Sequence, residues 1–590
     1  MSGDAPYMDP KLAAYKSGQQ AVPPEYWLWP LYGAGLENLG RDGQPICVPT
    51  PECGSDQLLV RHDAVGLCFS DTKVIKAGET HPRLSGRDMK AQPVVLGHEV
   101  VLTVVKVGDA LVDQYKPGDR FIVQADILYK GVGLAYGYAL QGGLSQYNIV
   151  GDEVLRGDDG CYLIPVKEET GYAQAALTEP WACVTASYDV VYRTGWKPGG
   201  AVLVAAGPAA LDDYAMSTPP YAGGQSPARV VTLGLTGSLL DALRARATAG
   251  DFDLVELPSG AEPGALQAAS GGEGYDDIVF LGASSEAYEE LEPLANKGSA
   301  LNVVGSQGFD GPAKVDVGRL HYDNISLIGT AERDISLAYV PIRTELAERG
   351  KAAFVGAAGP MGQMHVQRAL QSENGPSLVM ATDLVEERLG VIGTKYAQLI
   401  EELAGTTKVI LRTPEQGQSG ADFNKGLLSA TEGTGYNDVV VLAPSAGVVA
   451  GAVSMLAPNG VMNIFAGLPR GTKAAIDLSI VPDKGVRFTG TSGSAIGDLR
   501  GMLGAAEGGQ LNPNLSVAAV SGMCDVKKGL EGVMHQAFPG KVVIYPQVLD
   551  FPATSLSDLK TALPSVYAKL GPNESWTVEA EAEFLKELLP

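Results

Sequence analysis

Cysteine is scarce in this chain: Cys47, Cys53, Cys68, Cys161, Cys183 and Cys524 are the only six in 590 residues, and no two of them form a CxxC pair. So thin a spread excludes a disulfide framework, and each thiol has to be read singly. Long apolar runs are missing too; nothing approaches the roughly 18 to 20 consecutive apolar residues that cross a bilayer. Positive charge is in deficit, with 44 Lys and Arg against 68 Asp and Glu for a formal net charge of −24. A field of that sign repels phosphate backbones and anionic lipid, so the expected partners are small molecules, with no nucleic acid and no membrane. The opening stretch MSGDAPYMDPKLAAYKSGQQ lacks the charged-then-apolar plan of a secretory signal, and a cytoplasmic protein is expected.

What the chain does have is length and an internal repeat. At 590 residues it is expected to divide into about three or four domains. GGAVLVAAGPAAL (199–211) resembles GKAAFVGAAGPMG (350–362), GYDDIVFLGASS (274–285) resembles GYNDVVVLAPSA (435–446), and GSALNVVGSQG (298–308) resembles GVMNIFAGLPR (460–470). ISLIGT (325–330) then answers VRFTGT (486–491) in the same order. Such a collinear repeat is the first thing that any fold assignment has to respect.

Within each copy, short Val/Leu/Ile/Ala-rich strands alternate with helical stretches, which implies a parallel sheet covered by helices. The expected fold class is α/β, with two tandem doubly wound domains, the first of them degenerate. Ahead of them, residues 60–150 show short alternating strands and many glycines, the pattern of a mostly antiparallel, barrel-like domain. The resulting expectation is a β-rich catalytic domain with an N-terminal extension over 1–195, the degenerate repeat over 196–345, a dinucleotide-binding repeat over 346–500, and a C-terminal segment, 501–590, that returns to the catalytic domain.

In the second repeat, AAFVGAAGPMGQMHVQRAL sets a Gly-rich turn between a strand and a helix, the context that a dinucleotide fingerprint requires. Gly356 and Gly359 supply the tight turn and let the backbone approach a pyrophosphate, Pro360 and Met361 open the helix, and Gly362 permits close helix–strand packing. Asp383, about twenty residues on, can accept hydrogen bonds from ribose hydroxyls and would repel a 2′-phosphate, so NAD is expected over NADP. The alternative is that these glycines serve packing alone. The first repeat departs from the pattern: Ala210 stands where Gly362 does, and Gly234 where Asp383 does.

AVGLCFSDTKV (64–74), VVLGHEVV (94–101) and ALTEPWACV (176–184) carry a second constellation. Cys68, His98 and Glu99 are a thiolate, an imidazole and a carboxylate, donors that zinc accepts; a catalytic zinc needs three protein ligands and one open position. Glu179 is a further candidate donor and acid–base group. Asp71 can orient His98 by taking its other ring N–H, and Ser70 can relay the substrate proton. Singly, each residue has a plainer reading, the cysteine as core and the His–Glu step as a polar turn.

Together, in this order and ahead of a dinucleotide turn, these segments resemble the zinc-dependent medium-chain alcohol and polyol dehydrogenases. GLCFSD resembles that family's GxCxSD segment, VVLGHEVVLTVVKVGD its GHE segment, and EPWACV the glutamate-bearing turn of its sorbitol and sugar dehydrogenase branch. GYALQGGLSQY (137–147), AAGP and GTSG lean toward the branch of sorbose 1-phosphate reductases. The resemblance covers residues 58–150, 351–495 and the closing GKVVIYP. It implies a GroES-like catalytic domain joined to a Rossmann domain, a catalytic zinc on Cys68, His98 and Glu99 with Glu179 nearby, and reversible NAD-linked oxidation of a secondary alcohol in a polyol, sugar or sugar phosphate. A homo-oligomer is expected.

Two departures stand out. DILYKGVGLAYGYALQGG holds none of the four cysteines that bind a structural zinc in many members, and the α/β unit of 196–345 has no place in a single-Rossmann member. The basic loop HPRLSGRDMK (81–90) offers Arg83 and Arg87 as contacts for a substrate phosphate, against the alternative of a solvated loop. Two other functions remain open at this level: an epimerase or lyase that keeps NAD tightly bound and cycles it, and a non-catalytic binding or assembly protein.

Overall fold

The computed structural model describes residues 9–84 and 86–590. Residues 1–8, which open the stretch read above for a leader, and Ser85 lie outside the described residues. The N-terminal domain, expected to be the catalytic one, is built on β1 (Leu58–Gly66), β2 (Glu99–Val107), β3 (Arg120–Val123), β4 (Tyr147–Val150) and β5 (Leu163–Pro165), all paired antiparallel. β1 is buried along its whole length, because the sheet closes over both of its faces. Two helices matter for function: α1 (Phe69–Ala77) leaves β1 directly, and α2 (Thr178–Ala186) leads out of the domain.

The two sequence repeats supply one twelve-stranded sheet. The first contributes β6 (Ala201–Ala206), β7 (Arg229–Leu233), β8 (Asp253–Leu257), β9 (Tyr275–Leu281), β10 (Ala295–Val304) and, after helix α3 (Val317–Tyr322), β11 (Ser326–Thr330). The second contributes β12 (Lys351–Val355), then helix α4 (Pro360–Gln371), β13 (Leu378–Thr382), β14 (Lys408–Arg412), β15 (Tyr436–Val441), β16 (Leu456–Ile464) and β17 (Arg487–Thr489). The strand order is β8-β7-β6-β9-β10-β11-β17-β16-β15-β12-β13-β14. Each half therefore runs in the order 3-2-1-4-5-6 of a doubly wound dinucleotide fold. Pairing is parallel within each half and antiparallel at the joint, where Leu327 lies opposite Phe488. The halves thus face each other edge to edge about a pseudo-two-fold axis, and a ribbon of Ala313–Asp316 on Lys473–Ile476 repeats the antiparallel join.

The halves differ at one decisive place. After β12 the chain enters α4, whereas after β6 it runs through residues 207–228 with no α-helix, only a short 3₁₀ turn at Ala222–Gly224. The helix that would offer its unpaired N–H groups to a pyrophosphate is absent from the first repeat.

The C-terminal segment returns to the catalytic sheet through β18 (Val517–Ser521), β19 (Lys541–Ile544) and β20 (Thr554–Ser555), with Ile544 of β19 opposite Val65 of β1. Its last helix, α5 (Val578–Leu588), buries Ala580, Phe584 and Leu585 at a spacing of about one turn. Glu581, also buried, accepts the N–H groups of Tyr172 and Ala173 at 2.5 and 2.7 Å, and so caps the short helix that precedes α2. No helix among the described residues is long and apolar enough to cross a membrane.

Phe488 is fully buried at the joint between the halves. Phe488→Ala is expected to cost about 3–5 kcal/mol, seen as a lower thermal midpoint by circular dichroism; an unchanged midpoint would mean that the joint adds nothing to stability.

Candidate functional site

Cys68 sits where β1 gives way to α1, in extended conformation one residue before the first helical turn. Asp71 on that turn accepts the Cys68 N–H at 2.9 Å, and its other oxygen lies 3.2 Å from His98 Nδ1. One buried carboxylate thus holds the backbone that carries the thiol and the ring that carries the imidazole, leaving His98 Nε2 free to face the thiol. Ser70 Oγ stands between them, 3.0 Å from Cys68 Sγ and 3.2 Å from His98 Nε2. Burial works against a charged His98, but Asp71 outweighs it and raises the imidazole well above its ordinary pKa. The pocket is therefore arranged to hold positive charge.

Glu99 begins β2 and is completely buried. Lys541, at the head of β19, donates from Nζ to Glu99 Oε1 and, at 3.1 Å, to the Leu67 carbonyl. Burial opposes the charge on Lys541 and the Glu99 carboxylate more than restores it, so the ammonium is held above its usual range. Glu99 Oε2 has no hydrogen-bond partner. A Cβ on Gly66 would fall 2.1 Å from that oxygen, so any larger residue there would displace the carboxylate. One ligand atom each from Cys68, His98 and Glu99 lies within 4.8 Å of the others. A thiolate, an imidazole and a carboxylate oxygen at that separation fit a zinc ion.

Glu179, on the first turn of α2, is not among those three. Its Oε1 lies 3.9 Å from the Cys183 thiol one turn on. Burial lifts its carboxyl to about 7; His98 opposes the rise and Glu99 adds to it. Sequence reasoning missed Lys541 and the contact of Cys183 with Glu179. A lone lysine heading the apolar strand of GKVVIYP was the available signal for the first, and nothing marked the second.

At the C-terminal end of β12, Gly356 takes a φ of +86°, a conformation open to glycine, and a Cβ there would meet Ala443 at 2.8 Å. Gly359 caps α4, Pro360 and Met361 form its first turn, and a Cβ on Gly362 would strike the Ala357 backbone at 2.6 Å. Asp383 Oδ2 accepts the Ala358 N–H at 3.1 Å, so the acid stands against the glycine turn. Turn, helix N-terminus and carboxylate together fit a dinucleotide.

The basic loop behaves differently from the expectation of a phosphate contact. Arg87 is consumed by four carbonyls, those of Gln92, Pro93, Tyr138 and Ala139, at 2.9–3.2 Å. Arg83 is clasped by both oxygens of Asp126. Neither guanidinium is free. Arg83 and Asp126 instead wall a cavity of about 680 Å³ with Gln124, Leu134, Tyr162 and Ser494, between the catalytic domain and the loop that follows β17. A smaller cavity of about 290 Å³ lies at the N-terminal ends of β6 to β9, around Gly200, Arg229 and Asp276, away from the carboxyl ends where such sheets bind ligands.

Comparison with known proteins agrees with this geometry. The family model of the alcohol dehydrogenase GroES-like domain matches residues 54–157. Mannitol-1-phosphate 5-dehydrogenase of Aliivibrio fischeri is 28% identical over 314 residues, which take in 49% of this chain and 72% of that protein. The uncharacterized protein YggP of Escherichia coli is 30% identical over 314 residues, with the same shares of 49% and 72%. L-sorbose 1-phosphate reductase of Klebsiella pneumoniae is 24% identical over 299 residues, 48% of this chain and 70% of that protein.

Two outcomes follow from the buried charges. Lys541→Met leaves the Glu99 carboxylate buried and unpaired, and is expected to cost about 3–5 kcal/mol in the metal-free protein, with added zinc raising the thermal midpoint more than in wild type; no loss would show that the pair carries no stability. Glu179 has a higher pKa folded than unfolded. The stability it contributes is complete below its unfolded value of about 4.3 and is lost as pH rises through the folded value. In metal-free protein the urea midpoint of Glu179→Gln should therefore gain on that of wild type between about pH 5 and 8; parallel curves would place the carboxyl in solvent.

Proposed function

The chain belongs to the zinc-dependent medium-chain dehydrogenase/reductase superfamily, in its sorbitol-like branch, and on that premise we propose that it moves hydride between NAD(H) and a secondary alcohol or ketone of a polyol, sugar or sugar phosphate. The observation that carries the proposal is the Cys68–His98–Glu99 group with an unpartnered Glu99 Oε2, beside Ser70. Cys68 Sγ, His98 Nε2 and Glu99 Oε2 would hold the zinc, and the turn from Gly356 through Gly362, with Asp383, would hold the cofactor as NAD in preference to NADP. When bound, these groups supply Lewis acidity to the substrate hydroxyl and a hydride acceptor.

The chain's own residues do the rest. Asp71 holds His98 with Nε2 directed inward, and Lys541 neutralises one oxygen of Glu99 so that the other is available. Ser70 Oγ, beside both the thiol and the imidazole, receives the substrate hydroxyl proton and passes it outward. Glu179, with a pKa of about 7, is tuned to exchange a proton near neutral pH and assists that transfer. Zinc is expected at this site alone, since the chain has no cysteine cluster for a second. Two of the relatives are named as acting on hexitol or ketose phosphates, which supports a substrate of that class.

Metal analysis and a screen of NAD reduction across polyols, aldonates and sugar phosphates test the proposal. Cys68→Ser should abolish zinc and activity, and Asp71→Asn should weaken zinc binding by about 10- to 100-fold. Purified protein that keeps NAD through gel filtration and releases no NADH with any substrate would replace this reading with a cofactor-cycling epimerase or lyase.

A further inference from the structure

Resting on that reading, we propose that the cavity of about 680 Å³ beside Arg83 and Asp126 seats the end of the substrate away from the reacting carbon, and that its charges select an uncharged, hydroxyl-bearing chain over a phosphorylated one. The volume is that of a small-molecule site. One wall is the two-stranded ribbon of Asp126–Tyr129 on Val132–Ala135, a stretch without cysteine. Another is Ser494–Ile496, in the loop after β17. The Gln124 amide donates to the Ser494 carbonyl at 2.7 Å and joins the two. The cavity therefore lies between the domain that carries the metal donors and the repeat that carries the dinucleotide turn.

The metal donors are one aromatic ring away. The Arg83 guanidinium lies 5.4 Å from the centre of the Tyr138 ring, and the centre of the His98 ring lies 5.7 Å from that same point. The charges of the two places act on one another as well. Burial is the main cause of the rise in the Glu179 carboxyl, and Asp126 adds to it. Burial opposes the charge on Arg83, Asp126 foremost restores it, and Tyr138 and Glu179 add to the restoration. A polyol held at Cys68, His98 and Glu99 thus has this cavity within reach of its far hydroxyls.

The lining suits hydroxyls and not a phosphate. Arg83 is the one cation in it, and both oxygens of Asp126 clasp its guanidinium, the second at 3.2 Å. Asp159 brings a second carboxylate, which accepts the Tyr162 hydroxyl at 2.9 Å. Two carboxylates against one guanidinium leave the lining net negative. A phosphate entering it would meet like charge and find the only guanidinium taken. Hydroxyl groups meet no such penalty, because they donate to carboxylates. Gln124 has the same requirement: it lines the cavity, is 3% exposed, and its Oε1 has no hydrogen-bond partner, so what it lacks is a donor. Ile127, Leu134 and Ile496 supply apolar surface for the carbon chain.

Asp126→Asn tests this selection, because it frees Arg83 without removing it. In wild type, KM for a hexitol should lie at least about tenfold below KM for its phosphate. Asp126→Asn should shrink or reverse that ratio, and adding Arg83→Gln should undo the change. Propane-1,2-diol, too short to enter the cavity, should respond to neither variant. Calorimetry on the whole protein gives a measure without turnover: inorganic phosphate should bind Asp126→Asn at least about tenfold more tightly than wild type. An unchanged ratio in Asp126→Asn, unchanged phosphate binding, or a diol that responds as the hexitol does would overturn the subsite. Phosphate binding that differs as expected, with no substrate turned over by any of the three proteins, would count against the functional reading and leave the charge selection standing.

Discussion

A sheet edge must be covered, and in this protein one antiparallel contact, Leu327 against Phe488, covers two of them at once. An exposed parallel edge offers unpaired N–H and C=O groups to any other strand. Here the outer strand of each half pairs with its counterpart in the other. The pseudo-two-fold arrangement follows from that pairing, and so does the position of α3 against the loop after β16.

The buried pair of Lys541 and Glu99 is the corresponding constraint within the catalytic domain. Lys541 belongs to the C-terminal segment and Glu99 to the GHE segment, and the two are buried to 4% and 0% exposure. Burying one such charge alone is costly, and burying the pair is tolerable only when the remaining atoms are satisfied. The Leu67 carbonyl satisfies part of the lysine, while one carboxylate oxygen remains unpartnered. A buried carboxylate with one oxygen unpartnered, within 4.8 Å of a thiol and an imidazole, has a donor to spare beyond its ion pair.

Much of this was legible in the sequence. The repeat could be read because strands and glycine turns are local patterns, copied in order at offsets of 151 to 162 residues. Cys68, Asp71, His98 and Glu99 could be read because each lies in a short motif whose spacing already implies its chemistry. For Arg83 and Arg87 the sequence left a phosphate contact open beside a loop balancing nearby acids, because a charge cannot be assigned without its partners: Asp126 and four carbonyls absorb both guanidiniums. Lys541 stands 442 positions from the glutamate it holds, and no local pattern reports such a contact.

By itself the sequence determined the strand and helix content, the duplication, the loss of the fingerprint in the first copy and the candidate metal donors, because these depend on side-chain type and on spacings of a few residues. Only the tertiary structure decided how the two copies pair and which carboxylate joins the thiol and imidazole. Those outcomes depend on which edges pair, which charges are buried together and which atoms are left over once every nearer partner has been used, and these are properties of contacts between segments hundreds of residues apart.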